Sequence, residues 1–379
     1  MRVVVVSRGV PGPSGPLRGI FELDQARALR EAGVEVALAA LDLRSVRSRR
    51  PWGVHETTVD GIDVISLDIP VGRVPEAWDH RAHAWAARRL HREVERRWGR
   101  PDVVHAHFSR YGAAVVRSGV WPQPLVLTEH DSHLRAEGTD RRREEDVRTA
   151  LAGADEVIAV SPCLADVLAR RHGVRARVIG NVVDVDLFDR PARAHEGTVL
   201  VSAGALVERK GMVDLARAVL RARSRHPDLR LVVVGEGPQR AELEALARSG
   251  EPGVITLAGQ VSREELAEVM ARADGFALLS RWETFGVVYA EAMAAGLPVL
   301  ATPCGGPEGF IGTGGTLSAG WDDGQVDAAL AEFLDGLARA DREAIRASVR
   351  EKFSPAAVAG ALCEVYQDLL DPARPSSQG

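Results

Sequence analysis

The strongest constraint on this chain is a rhythm. Short aliphatic runs rich in β-branched residues ("RVVVVS", "VEVALAAL", "DVVHAH", "PLVLTEH", "DEVIAVS") are separated by amphipathic stretches such as "FELDQARALREAG", which Gly33 closes. Runs that are apolar throughout, and not alternately apolar and polar, are buried on both faces. They predict parallel strands covered by helices on either side. The rhythm breaks at "GNVVDVDLFDRPARAHEG", where Asn, Asp, Pro and Gly predict a linker over residues 181–197. It restarts with "TVLVSAGAL", "LRLVVVGEGP", "GVITLAGQV", "GFALLS" and "LPVLATPCGG". At 379 residues the chain is too long for one typical domain. The expectation is two doubly wound α/β domains, 1–183 and 184–354. The tail "SPAAVAGALCEVYQDLL", residues 355–371 in round terms, is free to pack back on the first, and "ARPSSQG" is expected to be disordered.

Bulk properties exclude several classes. With 48 basic and 53 acidic residues the net charge is −5, which argues against a nucleic-acid binder. No apolar run spans a bilayer, and "MRVVVVSRGVPG" is too short in its apolar part for a signal peptide and reads as a first buried strand. Three scattered cysteines, Cys163, Cys304 and Cys363, suggest neither a disulfide framework nor a zinc knuckle and point to a reducing cytoplasm.

In open parallel sheets ligands bind beyond the carboxyl ends of the strands. One such end is "GFALLSRWE", followed by the helix "FGVVYAEAMAAG". Glu283 falls in the strand-to-helix loop. The amides of Phe285, Gly286 and Val287 open the helix, where unpaired donors and the dipole favour an anion or hydroxyl oxygens. Glu291 lies inside a helix that is apolar on nearly every face and therefore buried, and a buried carboxylate needs donors such as paired hydroxyls. The plain alternative has Glu283 capping the helix and Glu291 facing water.

The stretch "ETFGVVYAEAMAAGLPVLATPCGG" resembles the Glu-x7-Glu motif of the family 4 retaining glycosyltransferases. That resemblance implies the GT-B fold: two facing Rossmann-like domains with a cleft between them, the first for the acceptor and the second for a nucleotide sugar. It implies Glu283 beside the donor sugar, Glu291 on the ribose, and backbone amides of Phe285, Gly286 and Val287 on sugar and phosphate, with Gly204 and Val261 also lining the donor.

"SAGALVERKGMVDLARAV" resembles the family's strand–loop–helix that delivers cations to the diphosphate, with Lys210 as its lysine. Composition supports this separately. Only two of the 48 basic residues are lysines, Lys210 and Lys352, so a lysine here suggests that a compact ammonium is needed. A surface lysine is the plain alternative. The sequence departs from the family in having Gly204–Ala205 where an arginine normally follows the glycine. Arg209 is the expected replacement, with Lys210, Arg209, Glu283 and His107 as the catalytic set.

The loop "SRGVPGPSGPLRGIFELDQ" carries Gly9, Gly12, Gly15 and Gly19 between a strand and a helix. A dinucleotide loop is a rival reading, helped by Asp42 after the second strand, but the spacing is not G-x-G-x-x-G. The resemblance makes Gly19 a backbone approach to the donor phosphate. "DVVHAHFSRYG" and "TEHDSH" bring His105, His107, Glu129, His130, Asp131 and His133 to neighbouring strand ends. A divalent metal site for a hydrolase is a second rival, chemically feasible for zinc. The resemblance instead sets His107 beside the reacting carbon and makes His105 structural. It leaves His130, Asp131 and His133, with Arg18, for the acceptor.

The expectation is therefore a metal- and cofactor-independent enzyme that transfers a sugar from a UDP or GDP sugar to an acceptor hydroxyl with retention. The acceptor would be a small molecule, glycan or lipid-linked sugar. An epimerase, a phosphorylase or a non-catalytic binding subunit are the alternatives. The arginine-rich helix "DHRAHAWAARRLHREVERRWGR" reads either as a solvated face or as a peripheral contact with the cytoplasmic membrane surface.

Overall fold

The structure is a computed structural model that describes residues 1–12, 18–45, 52–71, 76–135 and 140–371. Gly15 and the tail 373–379 lie outside them. The chain divides into two compact units: unit 1 is Met1–Val182 together with the segment from Pro355 onward, and unit 2 is Val183–Ser354.

Unit 1 runs β1 (Arg2–Ser7), α1 (Ile20–Glu31), β2 (Glu35–Ser45), β3 (Gly53–Val59), β4 (Ile62–Val71), α2 (Glu76–Arg97), β5 (Val103–His107), α3 (Ser109–Ser118), β6 (Leu125–Glu129), α4 (Arg141–Gly153), β7 (Glu156–Ala159), α5 (Pro162–His172) and β8 (Arg177–Val178). The strands form one sheet in the order β3-β4-β2-β1-β5-β6-β7-β8. The central strands are buried along their length, as their unbroken apolar runs require.

One edge departs from the all-parallel expectation. β3 pairs with β4 antiparallel, through a tight turn in which Asp60 and Gly61 both have positive φ (51° and 75°). The sequence signal is Asp-Gly between two strand-like segments. β3 sits at the sheet edge and is largely exposed, so it never needs the continuous apolar run that marks a central strand.

Unit 2 runs α6 (Val185–Phe188), β9 (Thr198–Ala203), α7 (Met212–Ala222), β10 (Leu229–Val234), α8 (Arg240–Ser249), β11 (Ile255–Gly259), α9 (Arg263–Met270), β12 (Gly275–Leu278), α10 (Val287–Ala294), β13 (Val299–Ala301), β14 (Gly315–Leu317), α11 (Asp323–Gly336) and α12 (Arg342–Phe353). Its sheet order is β11-β10-β9-β12-β13-β14, the order of a dinucleotide-type Rossmann sheet. Strand order reverses between β9 and β12, and the corresponding reversal in unit 1 lies between β1 and β5.

The expected linker over 181–197 is folded in its first half. Asp184 caps α6 by accepting from the Leu187 amide (3.1 Å), and Val185 and Phe188 are buried. Two large apolar side chains in five residues give that segment a reason to pack that its Asn and Asp content conceals.

The chain returns to unit 1 as α13 (Pro355–Leu370), which lies against α1. Val358, Leu362, Val365 and Tyr366 enter the same core as Leu23, Leu29, Leu38 and Ile62. Each large side chain so buried contributes about 1.5–3 kcal/mol.

Candidate functional site

The carboxyl ends of β9 and β12 meet at the reversal point of unit 2. From β9 the chain passes through Gly204 into a short 3-10 turn, Glu208–Lys210, and then into α7. From β12 it passes through Ser280 and Glu283 into α10. The two connections are tied together: the Arg281 amide donates to the Arg209 carbonyl (2.8 Å), and Arg209 Nη1 donates to the Trp282 carbonyl (3.0 Å).

Across this junction Lys210 Nζ forms an ion pair with Glu283 Oε1, which also accepts from Ser280 Oγ (2.7 Å). The side chains are 14% and 10% exposed, so the pair is mostly buried with a small part open to solvent. Gly204 stands beside the lysine, since a Cβ there would be 3.7 Å from Lys210 Cε.

Glu283 is fixed from the other side as well. Its amide donates to the Cys304 carbonyl (2.9 Å) and its carbonyl accepts from the Gly306 amide (3.0 Å). The Cys304 thiol is buried beneath, and burial, then the Glu283 carboxylate, push its pKa up, so it stays protonated.

Phe285 is 2% exposed and packs against Phe310 and Phe353, ring centroids 5.1 and 5.0 Å away. Its ring therefore anchors the turn and only its backbone can face a ligand. Gly286 then starts α10 in the left-handed region (φ 84°), with no side-chain cap. A Cβ there would come within 2.9 Å of Pro307 and Tyr289, so backbone at this point must be glycine. The uncapped first turn, including Val287, presents the positive end of the helix next to the Lys210–Glu283 pair.

Glu291 lies one turn further into α10 and is 7% exposed. Its Oε1 accepts from Arg263 Nη2 (3.2 Å) at the start of α9. Val261 precedes that helix by two residues, on the connection that follows β11. Sequence reasoning missed Arg263. The two residues are 28 positions apart on different helices, and only the demand that a buried carboxylate have a donor pointed to a partner.

Unit 1 assembles different chemistry at the ends of β1, β5 and β6. His105 is fully buried: Nδ1 shares a hydrogen bond with Tyr366 Oη (2.6 Å) and Nε2 one with Thr128 Oγ1 (2.6 Å). His107 stacks on it at 4.7 Å and is also fully buried. His107 Nδ1 shares a hydrogen bond with His130 Nε2 (2.9 Å), and His130 in turn stacks among Phe21, Phe108 and His107. Burial lowers all three imidazole pKa values, to about 3 for His105 and His130, so the rings are neutral.

The sequence expectation had His107 meeting a substrate directly. Both rings are buried, His107 at 0% and His130 at 7% exposure, with His130 the nearer to the surface. Period-two alternation puts 105 and 107 on one face of β5 but cannot say how deep that face lies.

Glu129, weighed as a metal ligand, is spent on backbone. Oε2 accepts from the Ser109 amide (3.0 Å) and hydroxyl, and Oε1 from the His130 (2.8 Å) and Asp131 (2.7 Å) amides. Asp131 Oδ1 accepts from the amide of His133, whose side chain is exposed. Among the described residues no group of three His, Cys, Asp or Glu side chains is arranged around one point for a metal ion.

Gly19 caps α1 at φ 70°, and a Cβ on it would stand 2.1 Å from the Gly9 carbonyl, which fixes the return of the glycine loop. Arg18 Nη2 pairs with Asp42 Oδ1 (2.7 Å), and the Asp42 side chain is 2% exposed. Asp42 is thus turned inward to an arginine and is not presented to a ribose, which removes the support for a dinucleotide loop.

Comparison with known proteins agrees with this architecture. A family model described as Glycosyltransferase Family 4 matches residues 21–187, and one described as Glycosyl transferases group 1 matches residues 185–349. The chain is 30% identical to the glycogen synthase of Mycobacterium tuberculosis (strain CDC 1551 / Oshkosh), over 97% of this chain and 94% of that protein. It is 29% identical to the D-inositol 3-phosphate glycosyltransferase of Paenarthrobacter aurescens (strain TC1), over 91% of each. Among solved structures, Anabaena Alr3699/HepE in complex with UDP and glucose superimposes with a TM-score of 0.72 at 19% identity, covering 97% of this chain and 99% of that one. The chain is a glycosyltransferase of the GT-B fold and belongs to glycosyltransferase family 4.

Proposed function

We propose that the protein transfers a sugar from a nucleoside-diphosphate sugar, UDP or GDP, to an acceptor hydroxyl with retention of configuration. The products would be cell-envelope polysaccharide, glycolipid or glycosides of secondary metabolites. The observation that carries this reading is the Lys210–Glu283 pair at the β9/β12 reversal point, beside the uncapped start of α10. An ammonium and a row of amides suit the diphosphate, whose charge grows as the sugar departs. The carboxylate suits the sugar hydroxyls, and Glu291 the ribose. Arg209, held over the junction by the Trp282 carbonyl, supplies the second cation in place of the arginine absent at Ala205.

Catalysis is then metal-independent and uses no cofactor, because protein cations and amides neutralise the leaving group. A chelator is expected to leave turnover intact.

On unit 1 the less deeply buried ring is His130, 7% exposed, and it takes the hydroxyl-binding part expected of His107. His107 holds it from below through the Nδ1–Nε2 hydrogen bond. Neutral rings suit this work, since they bond hydroxyls without placing a charge beside an oxocarbenium-like sugar. Asp131, His133 and Arg18 flank the acceptor. The reaction belongs to the cytoplasm, where nucleotide sugars are made. Among the described residues no helix is long and apolar enough to cross a membrane.

Two measurements test the reading. A thermal-shift series with UDP, GDP, ADP and dTDP is expected to raise the melting midpoint with one uracil or guanine nucleotide. The matching UDP or GDP sugar, without acceptor, is expected to be hydrolysed slowly to free sugar and nucleoside diphosphate. No shift with either nucleotide, together with an epimerised donor, would turn the assignment toward an epimerase.

A further inference from the structure

Helix α2 carries a surface feature for which the transfer reaction has no use. Its outward positions include Trp78, Arg81, Trp85, Arg88 and Arg92, all exposed. Steps of three and four residues place them in one stripe, about 60–80° wide, along the helix. The opposite face, with Ala86, Ala87, Leu90 and Val94, is buried in unit 1. Trp78 and Trp85 are 64% and 53% exposed, so packing within the chain does not account for either indole.

Charge along the stripe is one-sided. The one acid between Trp78 and Arg92 is Asp79, which is buried and turned inward to Arg110 (2.9 Å). Glu93 is also turned inward, holding Arg89 (2.8 Å), Arg96 (2.8 Å) and Arg97 (3.1 Å). Further acids stand around the helix: Glu76 at its start, Glu95 near its far end, Glu145 (3.6 Å) and Asp146 (3.4 Å) of α4 against His80, and Glu56 of β3 on Arg97 (3.0 Å). A chain of net charge −5 thus gathers a positive, aromatic strip on one helix.

Exposed indoles flanked by arginines suit one environment well. Indole rings favour the headgroup level of a bilayer, and guanidinium groups hold lipid phosphates in a two-pronged grip. We propose that the α2 stripe seats unit 1 on an anionic lipid surface, with the two indoles at headgroup depth and Arg81 and Arg92 on phosphates, while Arg88 is held by the Ser118 carbonyl (2.7 Å). The contact is peripheral and electrostatic. This inference does not rest on the donor or acceptor proposed above, because its test reads partitioning and not turnover.

The test is sedimentation of the full chain with vesicles of phosphatidylcholine alone or containing about one-third phosphatidylglycerol. The protein is expected to sediment with the anionic vesicles only, and to be released as salt rises to about 0.5 M. Trp78→Ala with Trp85→Ala, and separately Arg81→Glu with Arg92→Glu, are each expected to weaken partitioning at least about tenfold. Arg248→Glu, an exposed position on α8 of unit 2, changes the net charge without touching the stripe and is expected to bind as the parent does. Should either double variant lose its parental melting midpoint, Arg81→Gln with Arg92→Gln replaces it. Failure of the parent to partition, equal binding to neutral vesicles, or stripe variants that bind like the parent would each overturn the proposal.

Discussion

Both units are doubly wound sheets with candidate functional side chains at the carboxyl ends of the strands beside the reversal point, yet the two ends are built from opposite chemistry. Unit 2 gathers formal charge there: Lys210 with Glu283, Arg263 with Glu291, and the positive end of α10. Unit 1 gathers neutral rings, three imidazoles whose burial keeps them uncharged, stacked with Phe21 and Phe108. The topology fixes where a ligand end goes and leaves open what kind it is. Mostly buried charges reinforced by backbone amides suit an anion. A stack of neutral donors and acceptors suits hydroxyls.

The contrast is broken or sharpened most strongly at Lys210. Lys210→Ala is expected to lower kcat/KM about 100- to 1000-fold, the usual scale for losing a group that stabilises developing negative charge. A fall of less than fivefold in steady-state kinetics would mean that the charge of unit 2 is not there for a leaving group.

Next comes Glu291→Ala, expected to weaken nucleoside-diphosphate binding by about 2–4 kcal/mol by calorimetry. Unchanged affinity in a folded variant would leave the Arg263–Glu291 pair a purely structural one.

Acidification probes the other side of the comparison. The folded-state pKa values of His105 and His130 lie near 3, below the ordinary 6.5, so the unfolded chain takes up their protons first. The sign follows: stability is full above about pH 6.5 and is lost as pH falls toward 3, by up to about 1.4 kcal/mol per pH unit for each imidazole. His107, also lowered, acts in the same direction. Buried Glu22 and Glu129, whose pKa values are raised, oppose it at the acid end. Denaturant titrations at pH 7 and 5, followed through the imidazole C–H signals in proton NMR, should show unit 1 weakening first. Equal weakening of unit 2, which holds none of these rings, would contradict the assignment.

The smallest effect is expected from Arg209→Ala. Its guanidinium is exposed and already bonded to the Trp282 carbonyl, so losing it should reduce kcat/KM about tenfold. Kinetics equal to the parent would mean that the second phosphate cation lies elsewhere.

The sequence was most legible where the chemistry is local. Unbroken apolar runs mark the central strands, and Glu283, Gly286 and Glu291 stand within one strand-to-helix passage, so their pattern survives in one dimension. Less visible were features that depend on depth or on distant partners. The Asp-Gly turn between β3 and β4 escaped attention because an exposed edge strand lacks the apolar run of its neighbours. Arg263 is invisible from Glu291, and the order of His107 and His130 from surface to core is a property of packing. Glu129 reads as a ligand in sequence because nothing local reveals that four donors from the backbone and Ser109 already converge on it.

The return of α13 has a consequence for synthesis. Unit 2 is one continuous segment ending at Ser354, whereas unit 1 is closed only by residues 355–370, far along the chain from its first strand. The hydrogen bond between His105 and Tyr366 closes over 261 positions, so the imidazole stack lacks one of its supports until the chain has been made through Tyr366. On this connectivity unit 2 is expected to be able to close without unit 1, against the usual order in which the amino-terminal domain matures first. A chain truncated before Pro355 would carry all of unit 2 and a unit 1 with an open groove along α1.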